Sequence, residues 1–93
     1  MTVKKSSARL LAAGGALIGE GRAFIHLRQS MDLPQAAQGT LSLDWWDESS
    51  STADALLELT DGPRLEPRLD SDRLSSCMVG RILRFQVDWP GAS

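Results

Sequence analysis

Apolar and polar residues alternate strictly near the end of the chain, and this alternation constrains the fold more than any other feature. Within residues 80–89, one set of alternate positions is apolar, and most positions between them are charged or amide residues. A repeat of two is typical of a half-buried β-strand, because successive side chains of a strand face opposite ways. The apolar set is Leu83, Phe85, Val87 and Trp89.

Similar but shorter alternations recur along the rest of the chain. They predict strands over about 22–29 and 41–46, and a hairpin over 55–69. Residues 7–13 fit either a short first strand or a helical turn. Several short strands separated by turn residues predict an all-β fold, namely a small antiparallel barrel or a compact sandwich of about five to seven short strands.

The hairpin has a register that can be argued from its side chains. A two-residue loop would place Leu59 opposite a charged residue, whereas a three-residue loop at 61–63 pairs it with Leu65. We therefore predict the second register, in which Glu58 faces Glu66. The two prolines in and after the loop cannot donate to a ladder, so the second strand of the hairpin is expected at a sheet edge.

Length and charge limit the classes of protein to consider. The 93 residues predict a single domain over 1–93, with 1–6 as a flexible N-terminus. A net charge of −2 gives no overall field that would attract nucleic acid or an anionic membrane. One cysteine, Cys77, and one histidine exclude an internal disulfide and a Cys/His zinc site within one chain. We expect a cytoplasmic protein with no cofactor, no metal and no membrane association.

Two adjacent tryptophans stand out in a chain with few aromatic residues. Regular alternation places Trp45 in the core beside Leu41 and Leu43 and turns Trp46 outward. Alternatively, Trp46 packs under a loop or in a dimer interface, or a bulge turns both rings inward. An exposed Trp46 would form a partner-binding surface together with its acidic neighbours, Asp44, Asp47 and Glu48.

A second candidate surface lies on the polar side of the strand over 22–29. Its residues combine positive charge with an aromatic ring, which is how β-barrel faces hold single-stranded nucleic acid. Arg84 would join them if the last strand lies alongside. The members on the strand itself are Arg22, Phe24, His26 and Arg28.

No arrangement of nucleophile, base and orienting group is visible, so we do not expect an enzyme. The sequence predicts a noncatalytic small β-domain that acts as a protein-binding or assembly module, with another protein or a second copy as partner. The alternative is a β-barrel that binds nucleic acid or a nucleotide through the Arg/Phe/His face. The two hypotheses differ in the salt sensitivity expected of binding.

Overall fold

The fold is all-β, as the alternation predicts. The computed structural model describes residues 2–91, in which seven strands and one helical turn are assigned. In chain order these elements are β1 (Thr2–Leu11), β2 (Leu17–Leu27), β3 (Gln35–Trp46), β4 (Leu56–Leu59), β5 (Arg64–Leu65), α1 (Leu74–Cys77), β6 (Met78–Val79) and β7 (Ile82–Trp89).

All pairings between these strands are antiparallel, and they form one sheet in the order β5-β4-β1-β2-β3-β7-β6. The first three strands form a meander, and the chain then returns so that β4 pairs with β1, which is a Greek key arrangement. The sheet is not closed by a continuous ladder. One isolated pair, Arg68 with Gln86, joins the segment after β5 to the free edge of β7.

The core lies on one face of this sheet. Alternate residues of the long strands are buried there, and Leu74 of α1 is fully buried as well. Packing these side chains together provides the main stabilising term for a domain of this size. The largest fully buried side chains are Leu10, Ile25, Leu27, Leu41, Leu43, Leu57, Leu74, Leu83 and Val87.

A β-bulge interrupts the pairing of β2 with β3. Gly21 is opposite Leu43 and Glu20 is opposite Trp45, so Asp44 is an extra residue on β3 without a partner. An inserted residue reverses the direction of every side chain beyond it. The bulge requires glycine at position 21, because a Cβ there would collide with the carbonyl oxygen of Ser42 and lie 2.8 Å from the Cα of Leu43.

The hairpin of β4 and β5 has a different register from the predicted one. Leu57, not Leu59, pairs with Leu65, and Glu58 lies opposite Arg64. The shift is by two residues, so the leucines stay on the core face. It replaces the predicted contact between Glu58 and Glu66 with an ion pair to Arg64 at 3.1 Å, and Leu59 pairs with Ala8 of β1 instead. As expected, β5 lies toward one end of the sheet.

The N-terminus also departs from the expectation of a flexible segment over 1–6. From Thr2 onward the chain belongs to β1, whose pairing with β2 begins at Thr2 opposite Leu27. Position 1 lies outside the described residues. The choice between strand and helical turn at 7–13 is also settled, since β1 continues to Leu11. Among residues 2–91, no helix has the length and apolar character needed to cross a membrane.

Candidate binding surface

The structure does not form the predicted surface around Trp46. Because of the bulge at Asp44, Trp46 turns toward the core and packs against it half-buried, while Trp45 is 44% exposed. The prediction that Trp45 is buried and Trp46 exposed is therefore wrong. The sequence pattern could not reveal the reversal, since nothing in β3 itself marks the inserted residue.

Asp47, one of the acidic residues near the end of β3, stabilises the turn that follows the strand. The Asp47 carboxylate accepts hydrogen bonds from the Ser49 hydroxyl at 2.7 Å and the Ser49 backbone N–H at 3.1 Å. These bonds lower the pKa of Asp47 from its ordinary value, the side-chain bond most strongly. Asp44 and Glu48 are exposed. No group of three His, Cys, Asp or Glu side chains within residues 2–91 is arranged to hold a metal ion.

The second predicted surface is brought together on the outer face of the sheet. Cross-strand pairing aligns its residues in three rows that each run across β1, β2, β3 and β7. We call these positions the basic face. The rows are Val3, His26, Gln38 and Gln86; then Lys5, Phe24, Thr40 and Arg84; then Ser7, Arg22, Ser42 and Ile82.

The basic face carries no carboxylate, although the whole chain has a net charge of −2. Lys5, Arg22 and Arg84 lie on it, and none of them takes part in the three ion pairs found within residues 2–91. Acidic residues surround these rows instead. Glu20 and Asp44 lie beyond one end and Asp88 beyond the other, Glu58 lies on β4 opposite Arg9, and Asp70 lines the same groove as Arg84. The charges are thus segregated, which produces a local positive field that net charge conceals.

Phe24 occupies the middle of this surface. It is partly exposed and pairs directly with Lys5 and Thr40, and His26 is the next residue of β2 on the same face. Arg84 does not lie on the strand next to β2, as was considered from the sequence, but one strand further, beyond Thr40. At 4.7–4.9 Å between neighbouring strands, Arg84 stands about 10 Å from Phe24 across the sheet.

A shallow groove runs along one side of the basic face. It has a volume of about 560 Å³ and is bounded by the segment Arg68 to Asp70, which the pairing with Gln86 fixes beside β7. The groove continues past His26 to Arg28, which lies just beyond the end of β2. This volume lies within the range of small-ligand sites. Its polar outer-face residues are His26, Gln38, Thr40, Arg84 and Gln86.

The residues that β1 and β3 add to the basic face were not predicted from the sequence. Lys5 and Ser7 alternate with the buried Ser6 and Ala8, so the signal was present, but it was weakened by the small size of the buried residues. Thr40 and Ser42 carry no charge, so no sequence pattern marked them as binding residues. Their importance arises only from the position of β3 between β2 and β7.

An apolar patch adjoins the basic face where β6 and β7 meet the end of β3, and the two surfaces share Ile82. Val79 is 73% exposed and Ile82, its hairpin partner, is 37% exposed. Trp45 lies at the same end of the outer face, since the amide of Leu43 donates to the carbonyl of Arg81 at 2.9 Å. We call Trp45, Val79 and Ile82 the apolar corner.

Comparison with known proteins gives no family assignment: no family model, curated protein or solved structure matches this chain.

Proposed function

We propose that this chain is a noncatalytic binding domain and that the basic face is its binding surface for an anionic polymer. The observation that carries this proposal is the absence of any carboxylate from three adjacent rows that hold Lys5, Arg22 and Arg84. In a chain with more acidic than basic residues, such segregation concentrates positive potential where an anionic partner would dock.

The chemistry of the face supports binding rather than catalysis. Cations separated by hydroxyl and amide groups provide many donors on the outer face of the sheet, and donors of this kind contact anionic groups of a polymer. The long strands β1, β2 and β3 hold these side chains at fixed spacing, so a ligand would meet a preformed surface.

The test uses heparin as a generic polyanion and compares two single charge reversals. Arg22→Glu lies on the basic face, and Arg73→Glu is a matched control because Arg73 is exposed and lies before α1, away from the face. We expect the wild type and Arg73→Glu to be retained on a heparin column at low salt, and Arg22→Glu to elute at clearly lower salt. The proposal fails if the wild type is not retained, or if both variants weaken retention equally.

A second candidate function is assembly with another protein or a second copy through the apolar corner. The observation that favours it is the exposure of Val79, at 73%, opposite Ile82 and toward the end of the outer face where Trp45 is exposed. Exposed apolar residues that lie together, rather than scattered, mark many protein interfaces. This candidate keeps the predicted protein-binding role and moves its surface from Trp46 to the neighbouring tryptophan.

A further inference from the structure

We infer that the anionic polymer bound by the basic face is single-stranded nucleic acid. This inference rests on the function proposed above and goes further, since sulfated sugars, acidic peptides and nucleic acids are all anionic polymers. The feature that distinguishes them is an unstacked base, which offers a flat aromatic surface and an edge of hydrogen-bond donors and acceptors.

The ring of Phe24 is positioned so that an unstacked base can stack on it. Phe24 is partly exposed in the middle row, with Lys5 on one side and Arg84 beyond Thr40 on the other. A base that stacks on an aromatic ring needs cations beside it to hold the adjoining phosphates, and the row provides them on both sides. An acidic peptide or a sulfated sugar would use the same cations but would gain nothing comparable from the ring.

The hydroxyl groups match the sugar-phosphate backbone. Ser7 and Ser42 flank Arg22 in the next row, and Thr40 adjoins Phe24. Serine and threonine hydroxyls commonly donate to phosphate oxygens and fix the strand's position without reading its sequence.

The row on the other side of Phe24 matches the edges of bases. Gln38 and Gln86 are directly opposed and exposed, and Gln38 also lies opposite His26. An amide side chain both donates and accepts, which suits the mixed edges of bases, whereas a uniformly anionic partner would require only donors. These residues also line the groove, so a base directed into it would be partly enclosed.

The geometry selects a single strand over a duplex. The basic face is part of a β-sheet, and the one helix among the described residues, α1, contains only Leu74–Cys77. A duplex hides the flat faces of its bases and is read by elements that enter a groove. An extended strand can lay its bases on the sheet directly.

The experiment measures binding of fluorescein-labelled oligothymidylate by anisotropy across a range of NaCl concentrations, with heparin and poly-glutamate as competitors. Phe24→Leu is expected to weaken binding about tenfold without changing the salt slope, because it removes stacking and no charge. Phe24→Tyr keeps the ring and should retain affinity. Arg22→Gln should lower the salt slope by about 0.7, the value for one phosphate contact on a single strand.

The outcomes separate this inference from the proposed function. The inference is supported if Phe24→Leu loses affinity for oligothymidylate and Phe24→Tyr retains it. If heparin binds but oligothymidylate does not, or binds without dependence on Phe24, the inference is overturned and the proposed function stands. If neither polymer binds, both are overturned. Circular dichroism checks that each variant is folded. Should Phe24→Leu not fold, the competition with wild-type protein decides, since poly-glutamate that displaces oligothymidylate at equal charge concentration would overturn the inference.

Discussion

Replacement of Gly21 by alanine should destabilise the domain strongly, because the bulge leaves no room for a side chain. The new methyl group would collide with the carbonyl oxygen of Ser42 and lie 2.8 Å from the Cα of Leu43. Both contacts are with backbone atoms, so no side-chain rotation can relieve them. The strands β2 and β3 must separate locally.

The loss in free energy of unfolding follows from the interactions that this local separation of the strands breaks. Losing on the order of two ladder hydrogen bonds removes about 1 kcal/mol each, and residual overpacking adds about 1 kcal/mol or more. We therefore expect Gly21→Ala to lower the free energy of unfolding by about 3 kcal/mol. In a domain of this size, that corresponds to a fall in Tm of about 12–24 °C.

Gly14→Ala is the matched control. Gly14 lies in the turn between β1 and β2, and a Cβ there would meet nothing within 4 Å. Its effect should stay within about 0.5 kcal/mol. Urea unfolding followed by circular dichroism measures both variants. The steric account of the bulge is refuted if the free energies of unfolding of the two variants differ by less than about 1 kcal/mol. So small a difference is less than the loss of one backbone hydrogen bond together with the strain would produce.

The tryptophan orientation and the acidic turn give two further expectations. Acrylamide should quench a large share of the tryptophan emission in Trp46→Phe, which retains the exposed Trp45, and a smaller share in Trp45→Phe. Equal quenching in both variants would contradict the bulge. Quenching of Trp45 that falls as the protein concentration rises would show association through the apolar corner. The lowered pKa of Asp47 means that its ionised form stabilises the folded state fully above the ordinary value of 3.8, and that this contribution is lost as pH falls through the lower folded value. Ser49→Ala removes the hydroxyl bond and should therefore shift the Asp47 pKa upward toward 3.8 in a carboxyl NMR titration; an unchanged pKa would rule out the Ser49 hydroxyl as the largest cause.

The sequence predicted the class of fold because alternation reports directly which side chains a strand buries. The strand at the end of the chain is the clearest case, since Leu83 and Val87 are both fully buried, as expected. Alternation says nothing about an inserted residue, and so the faces of Trp45 and Trp46 were reversed. It is equally blind to a shift of two residues, which is why the Leu59 pairing was misassigned while its burial was not.

The candidate surface was predicted in part for a similar reason. Arg22, Phe24 and His26 share a face because they lie on one strand, and that follows from local sequence. The contributions of Lys5 and Arg84 depend on which strands become neighbours. Pairing between strands distant in sequence is not encoded in any short pattern.

The return of β4 to β1 has a consequence for how this chain acquires its structure. The β1-β2-β3 meander joins consecutive strands, so each of its ladders can close through a short connection. By contrast, β4 must find β1 across the whole of β2 and β3, and ordering that long a loop costs more entropy before any contact stabilises it. The pairing of β7 with β3 joins residues that are equally far apart in sequence. We expect the meander to form first, with only the part of the basic face that β1, β2 and β3 carry, and the docking of β4, β5 and β7 to follow and to limit the folding rate.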